Sequence, residues 1–185
     1  AFVTRAGAEI RDAEGRQVHR ERRAIAAQAA QVDKAGHKHF MAKEIFEQPT
    51  VLSECLSYYS KGDTIAVPDA TPDFTETDRL IMVACGTAHY ACQVAKYWFE
   101  RLAGLPCDVD IASEFRYREP PVSAASTALF VSQSGETADT LAALRYARGK
   151  ARTVLSLVNV AESSIARESD MALPIHAGVE IGVAS

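Results

Sequence analysis

From residue 79 onward, short apolar runs alternate with helical stretches, and this alternation most constrains the fold. Arg79–Ala84, Asp108–Ala112, Thr127–Val131, Thr153–Val158 and Met171–Ile175 read as strands. Most lack polar alternation, which suits strands covered by helices on both faces. Ala88–Ala103, Ser113–Tyr117, Ala138–Arg148 and Ser163–Glu168 read as the intervening helices. Gly104, Pro120-Pro121 and Gly149 mark where the first three stop. Crossovers of this length imply parallel pairing. The expected architecture is α/β, a doubly wound, flavodoxin-like, five-stranded parallel sheet. Ligands of such sheets gather at strand C-terminal ends near the switch point.

The residues before 79 read differently. Phe2-Val3-Thr4 and Glu9-Ile10-Arg11 flank a turn, and Asp12 to Arg16 makes another, which together suggest an N-terminal β-hairpin. Arg20 to Lys34, rich in alanine and charge, reads as a linker. A helical lead-in begins at Gly36. Pro49 is expected to interrupt it and open a second helix, which Lys61-Gly62-Asp63 would end. Residues 64–78 look like a loop. The division expected is 1–34 and 35–185.

The chain carries a net charge of −4, which argues against an extended nucleic-acid surface. No apolar run approaches membrane-spanning length and no signal-peptide pattern opens the sequence. Cys55, Cys85, Cys92 and Cys107 show neither C-x-x-C pairing nor zinc spacing, as expected of free thiols in a cytoplasmic protein.

The segment Leu129 to Thr137 carries the chemistry. An apolar strand runs into Ser132-Gln133-Ser134-Gly135-Glu136-Thr137, and a helix follows at once. A single serine there would read as an ordinary helix cap. Three hydroxyls and a glutamine beside a helix N-terminus read instead as a cradle for a phosphate. Cys85-Gly86-Thr87-Ala88 ends the first strand and should face this loop. Gly86 permits close approach and Thr87 adds a hydroxyl. A sugar phosphate fits such a pair of loops, since neither offers a ring for stacking a base. Neither loop reads as a nucleotide-binding glycine motif.

Other candidates have plainer readings. Glu44 and Glu47 read as a solvated helix face rather than paired acid and base. His37 and His39 lack a third ligand, so no metal is expected. His89 and His176 read as structural. Cys85 has no motif supplying a base, so it reads as a small strand-end residue rather than a nucleophile. Tyr97, Trp98 and Phe99 read as core and interface, as do Phe115 and Tyr117.

Several segments together resemble the sugar isomerase (SIS) domain of the glucosamine-6-phosphate synthase family. They are Ala84 to Thr87, Cys107 to Val109, Ser113 to Arg118, Ser132 to Asp139, Arg167 to Asp170 and Gly178 to Ser185. His39 to Pro49 resembles that family's interdomain signature. The resemblance covers roughly residues 36–185, and residues 1–34 look like the tail of the family's glutaminase domain and its linker.

The resemblance implies a reaction: fructose 6-phosphate and glutamine become glucosamine 6-phosphate and glutamate. No cofactor is implied. Carried over by position, phosphate contacts fall to Ser132, Gln133, Ser134 and Thr137. Cys85, Gly86, Thr87, Ala88, Val183 and Ser185 line the sugar end. Ala88 departs from the family pattern, which often has serine there. Glu47 becomes a candidate near the sugar site. The family's glutaminase opens on a nucleophilic cysteine, whereas Ala1 opens this sequence. Its Schiff-base lysine, its isomerisation base and a histidine from a neighbouring subunit lie beyond the matched half. The chain is therefore expected to be a phosphosugar-binding fragment of a homodimeric glutamine–fructose-6-phosphate transaminase, with no catalytic residue of its own and no activity alone. The alternatives are the effector-binding module of a sugar-responsive regulator, or a deaminase or deglycase of amino-sugar phosphates.

Overall fold

A computed structural model describes residues 1–19, 33–67 and 72–182. It divides into two compact units, Ala1–Asp33 and Lys34–Ser185.

In the first unit, β1 (Phe2–Thr4) pairs antiparallel with β2 (Gly7–Glu9). The second strand therefore starts earlier than the Glu9–Arg11 run expected. Gly7 supplies the partner of Thr4, and Arg11 instead bridges to Gln17. The Asp12 carboxylate accepts the amides of Glu14 and Arg16, which fixes the second turn. Most of the expected linker lies outside the described residues.

The second unit opens with α1 (Phe40–Tyr59), one continuous helix with Pro49 inside it. This corrects the expected break. Pro49 has no N–H to donate, but its ring is exposed and costs only local backbone bonding. Both halves are tied to the same body: Glu44 accepts amides of Ile181 and Gly182, and the Tyr59 hydroxyl donates to the Pro174 carbonyl. Tertiary anchoring thus overrides the local breaker. The helix ends at Tyr59, before Lys61, and a small hairpin of β3 (Ser60–Lys61) and β4 (Thr64–Ile65) follows. It places β4 inside the expected loop.

The main sheet comprises β5 (Arg79–Ala84), β6 (Cys107–Ile111), β7 (Ser126–Ser132), β8 (Thr153–Val158) and β9 (Met171–Pro174). All neighbours are parallel, in the order β6-β5-β7-β8-β9. The chain runs from β5 outward to β6, then crosses back to β7 on the other side. The switch point therefore lies between β5 and β7, where Ala84 pairs with Val131 at the C-terminal ends.

Helices α2 (Gly86–Trp98), α3 (Ala112–Arg118), α4 (Ala138–Ala147) and α5 (Ser164–Glu168) connect these strands. Helix α2 starts at Gly86 rather than Ala88. It runs into a π-helical turn, Phe99–Ala103, which Gly104 closes at φ +64°. One face of the sheet buries Phe130, Val83 and Val158 against Phe115, Leu144 and Ile165. On the other face Leu80, Met82, Ala84 and Val131 pack around Cys92 of α2. Each large apolar side chain so buried contributes about 1.5–3 kcal/mol. The expectation of core aromatics holds for Phe115, which is buried. Tyr97, Trp98 and Tyr117 are not core: they stay 63–76% exposed, which leaves them the interface half of that expectation. The amphipathic pattern of α2 has a second apolar stripe that the sheet does not cover.

Candidate functional site

Two helices begin side by side at the switch point. Cys85 follows the last residue of β5 and caps α2 in extended conformation. Gly86, at φ +56°, turns the chain into the helix. Ser132 ends β7, and α4 starts six residues later behind Thr137. Because β5 and β7 are hydrogen-bonded neighbours, both helix N-termini point to the same end of the sheet. Neither first turn is capped by a side chain. Their free amides and partial positive charge favour an anion there.

A cavity of about 560 Å³ occupies this place. Cys85, Gly86, Thr87, Ala88, Ser132, Gln133, Ser134 and Thr137 all line it, with Val131 and Glu180. Thus the structure brings both expected loops to one space. Val183 and Ser185 lie outside the described residues.

The loop is held by its own hydrogen bonds. The buried Gly135 amide donates to Ser132 Oγ at 3.1 Å, and Ser132 Oγ lies 2.9 Å from Thr137 Oγ1. Ser134 Oγ accepts the Glu136 amide. Gly135 takes φ +65°, and an added Cβ would fall 2.0 Å from Ser163 Oγ, so the loop packs directly on the start of α5. The Gln133 carbonyl accepts the Asn159 amide, and the Gly135 carbonyl accepts that of Ile165.

The charges are arranged with the same bias. The Glu136 carboxylate accepts the Ser164 amide at 2.7 Å, and this bond lowers its pKa. Its charge is thereby spent on the Ser164 amide, and it does not line the cavity. Among the described residues, the lining holds no lysine, arginine or histidine. Residues with neutral hydroxyls line the space, with one carboxylate, Glu180.

Reasoning from sequence missed Glu180. It remains solvent-accessible, yet partial burial and then the neighbouring Glu44 carboxylate raise its pKa. Its signal was its position within Gly178 to Ser185, a segment of the family resemblance from which only Val183 and Ser185 were assigned to the sugar end. Glu44 also departs from the solvated-face reading. It is half-buried and its Oε1 accepts two amides from a segment far along the chain. Glu47 faces Lys43 at 3.4 Å and lines a smaller cavity, about 160 Å³, next to Gln133 and Glu180. His89 is structural: its ring nitrogens meet the Asp110 carbonyl and the Gln93 amide. His176 packs its ring on Tyr58, with centroids 3.9 Å apart.

A parallel sheet with a cavity at its switch point, lined by hydroxyl residues beside two helix N-termini, defines a small-ligand-binding α/β domain. The SIS domain family model matches residues 73–185, more than half of the sequence, and the chain belongs to that family.

Among similar proteins is a glutamine–fructose-6-phosphate aminotransferase [isomerizing] of Bradyrhizobium diazoefficiens. It is 56% identical over all of this chain and 31% of its own length. The enzyme of the same name from Agrobacterium fabrum is 54% identical with the same coverage. The chain thus spans about a third of the curated relatives it matches. A solved structure, the C-terminal domain of glucosamine-fructose-6-phosphate aminotransferase from Francisella tularensis, superposes with a TM-score of 0.77 at 45% identity. That match covers 83% of this chain and 44% of the solved one.

Proposed function

We propose that this chain binds a hexose 6-phosphate, and that it does so as part of an isomerizing glutamine–fructose-6-phosphate aminotransferase. The observation that carries the reading is the cavity between Thr87 and the Ser132–Thr137 loop, with two helix N-termini aimed into it. Ser132, Gln133, Ser134 and Thr137 hold the phosphate. Cys85, Gly86, Thr87 and Ala88, with Val183 and Ser185, line the sugar end. The relatives' names supply glutamine and fructose 6-phosphate, and the family resemblance supplies glucosamine 6-phosphate as the product.

In this reading the site binds and orients. Fixed donors take up the phosphate charge without reorganising, and each helix terminus contributes about 0.3–2 kcal/mol. The ketose carbonyl is left at the end away from the phosphate. Since the described lining offers no amine to condense with it, the groups that do the chemistry come from elsewhere in the assembled enzyme. We read residues 1–34 as the end of a glutaminase domain with its linker, and 35–185 as one sugar-isomerase half. The match to the relatives runs through both segments, over all of this chain and 31% of the relative.

We infer also that the protein works as a cytoplasmic homodimer. The uncovered stripe Tyr90, Val94, Tyr97 and Trp98 on α2 supports pairing. Among the described residues, no helix is long and apolar enough to cross a membrane. Light scattering should show a dimer that Tyr97→Glu dissociates.

The test of the main reading is an NMR titration with fructose 6-phosphate. Amides from Ser132 to Thr137 should shift, with inorganic phosphate moving a subset of them and fructose moving none. Unshifted amides at millimolar sugar phosphate in a folded sample would overturn it.

A further inference from the structure

Part of the cavity wall comes from Glu180, in the irregular segment after β9, and among the described residues this segment has no strand pairing of its own. It is held at two points instead. Near its start, the Asn159 side chain accepts the Ala177 amide at 2.7 Å and donates to the Gly178 carbonyl at 2.6 Å. The Asn159 backbone amide also donates to the Gln133 carbonyl, so the same residue grips the phosphate loop. Beyond Glu180, Glu44 Oε1 accepts the amides of Ile181 at 2.8 Å and Gly182 at 2.9 Å.

The fit at this second point is tight. A Cβ on Gly182 would lie 2.8 Å from Glu44 Oε2, 2.8 Å from the Met41 amide nitrogen and 2.9 Å from Met41 Cα. Two of those atoms are backbone, so only glycine lets the segment lie flat against the first turn of α1. A carboxylate that accepts two amides makes charge-assisted bonds, stronger than neutral ones. The helix, the clamp and the missing side chain all serve one placement: that of Glu180, the single residue between the two anchors that lines the cavity.

Resting on the phosphosugar reading, we propose that Glu44 is a positioning residue for ligand recognition. It fixes residues 180–182 so that Glu180 meets the carbohydrate end of the ligand, while the Ser132–Thr137 loop and the helix N-termini hold the phosphate. A carboxylate at that wall accepts hydrogen bonds from sugar hydroxyls or from the ammonium of an amino sugar. Glu44 itself, turned to the amides behind, touches no ligand. Recognition is thereby split between two ends held by different parts of the fold, and losing Glu44 should harm one end only.

The experiment compares two ligands on the full 185-residue chain. Wild type, Glu44→Ala and Glu44→Gln are titrated with fructose 6-phosphate and with inorganic phosphate. Glu44→Ala should weaken fructose 6-phosphate by about tenfold or more and change phosphate by less than about twofold. Glu44→Gln keeps an acceptor oxygen and should recover most of the loss. Gly182→Ala attacks the same joint from the opposite side and should reproduce the selective loss if Glu44→Ala does not fold. Equal weakening of both ligands, or none, in a folded variant overturns the positioning role. A wild-type chain that binds neither ligand overturns the phosphosugar reading itself, and the inference falls with it.

Discussion

Ser132 Oγ sits 2.9 Å from Thr137 Oγ1 while also accepting the Gly135 amide, so the two hydroxyls form one relay across the mouth of the loop. A hydroxyl has a single proton to give and can accept two bonds. Whichever hydroxyl of the pair donates to the other, the acceptor keeps its own proton, so one donor is left over. Bonds within the loop therefore leave a donor for the ligand instead of consuming both, and the chain polarises each member.

This relay separates two substitutions that look equivalent. Thr137→Ala removes one of the two paired hydroxyls and should weaken fructose 6-phosphate binding, with little change in stability. Ser132→Ala also strands the buried Gly135 amide, which costs about 1–3 kcal/mol. Denaturant unfolding should show a clear loss for Ser132→Ala and a small one for Thr137→Ala, while calorimetry shows weaker binding for both.

Gly135→Ala tests the packing beneath the loop. The position needs φ +65°, and the new Cβ would meet Ser163 Oγ at 2.0 Å and Ser163 Cβ at 2.4 Å. Strained backbone of this kind costs about 1–3 kcal/mol even without the clash. The variant should melt lower and lose phosphate binding. Adding Ser163→Gly should recover part of the stability, because it relieves the clash but leaves the strained backbone. Full recovery would show that conformation at Gly135 does not matter.

How much of this was legible in the sequence depends on where each signal came from. β5 and β8 were read to the residue, Arg79–Ala84 and Thr153–Val158, because a buried strand in a parallel sheet writes itself as a local apolar run. The two site loops were legible for a related reason, since strand end and helix start are both local. Pro49 misled because propensity is local and its override is tertiary. Glu44 was out of reach, since its amide partners lie 137 and 138 residues further on. Tyr97 and Trp98 showed an apolar face, but periodicity does not say whether anything covers it.

Acid should weaken the fold through Glu168. Arg145 binds its carboxylate through two nitrogens, at 2.8 and 2.6 Å, and that pairing lowers its pKa. The folded chain thus gives up this proton more readily than the unfolded one. The pair's contribution is full above the ordinary carboxylate range and is lost as pH falls through the depressed folded value. Arg145→Met should lower the melting temperature near about pH 7, and the gap to wild type should close by about pH 2–3. A gap independent of pH would remove the ion pair as its cause.

The attachment of α1 can be tested at alkaline pH through Tyr59. Its hydroxyl donates to the Pro174 carbonyl at 2.7 Å, at the end of β9. Burial first, then Tyr58 and Cys55, push its pKa up to about 12. The unfolded chain ionises an ordinary tyrosine near about 10, so the folded state holds this proton longer. Stability from Tyr59 is present below the unfolded value and fades as pH rises between about 10 and 12. Tyr59→Phe removes both the bond and the titration. It should cost about 0.5–1.5 kcal/mol at neutral pH. Its stability should then fall less steeply than wild type at alkaline pH. Parallel alkaline profiles for the two proteins would mean that this hydroxyl does not fasten the helix to the sheet.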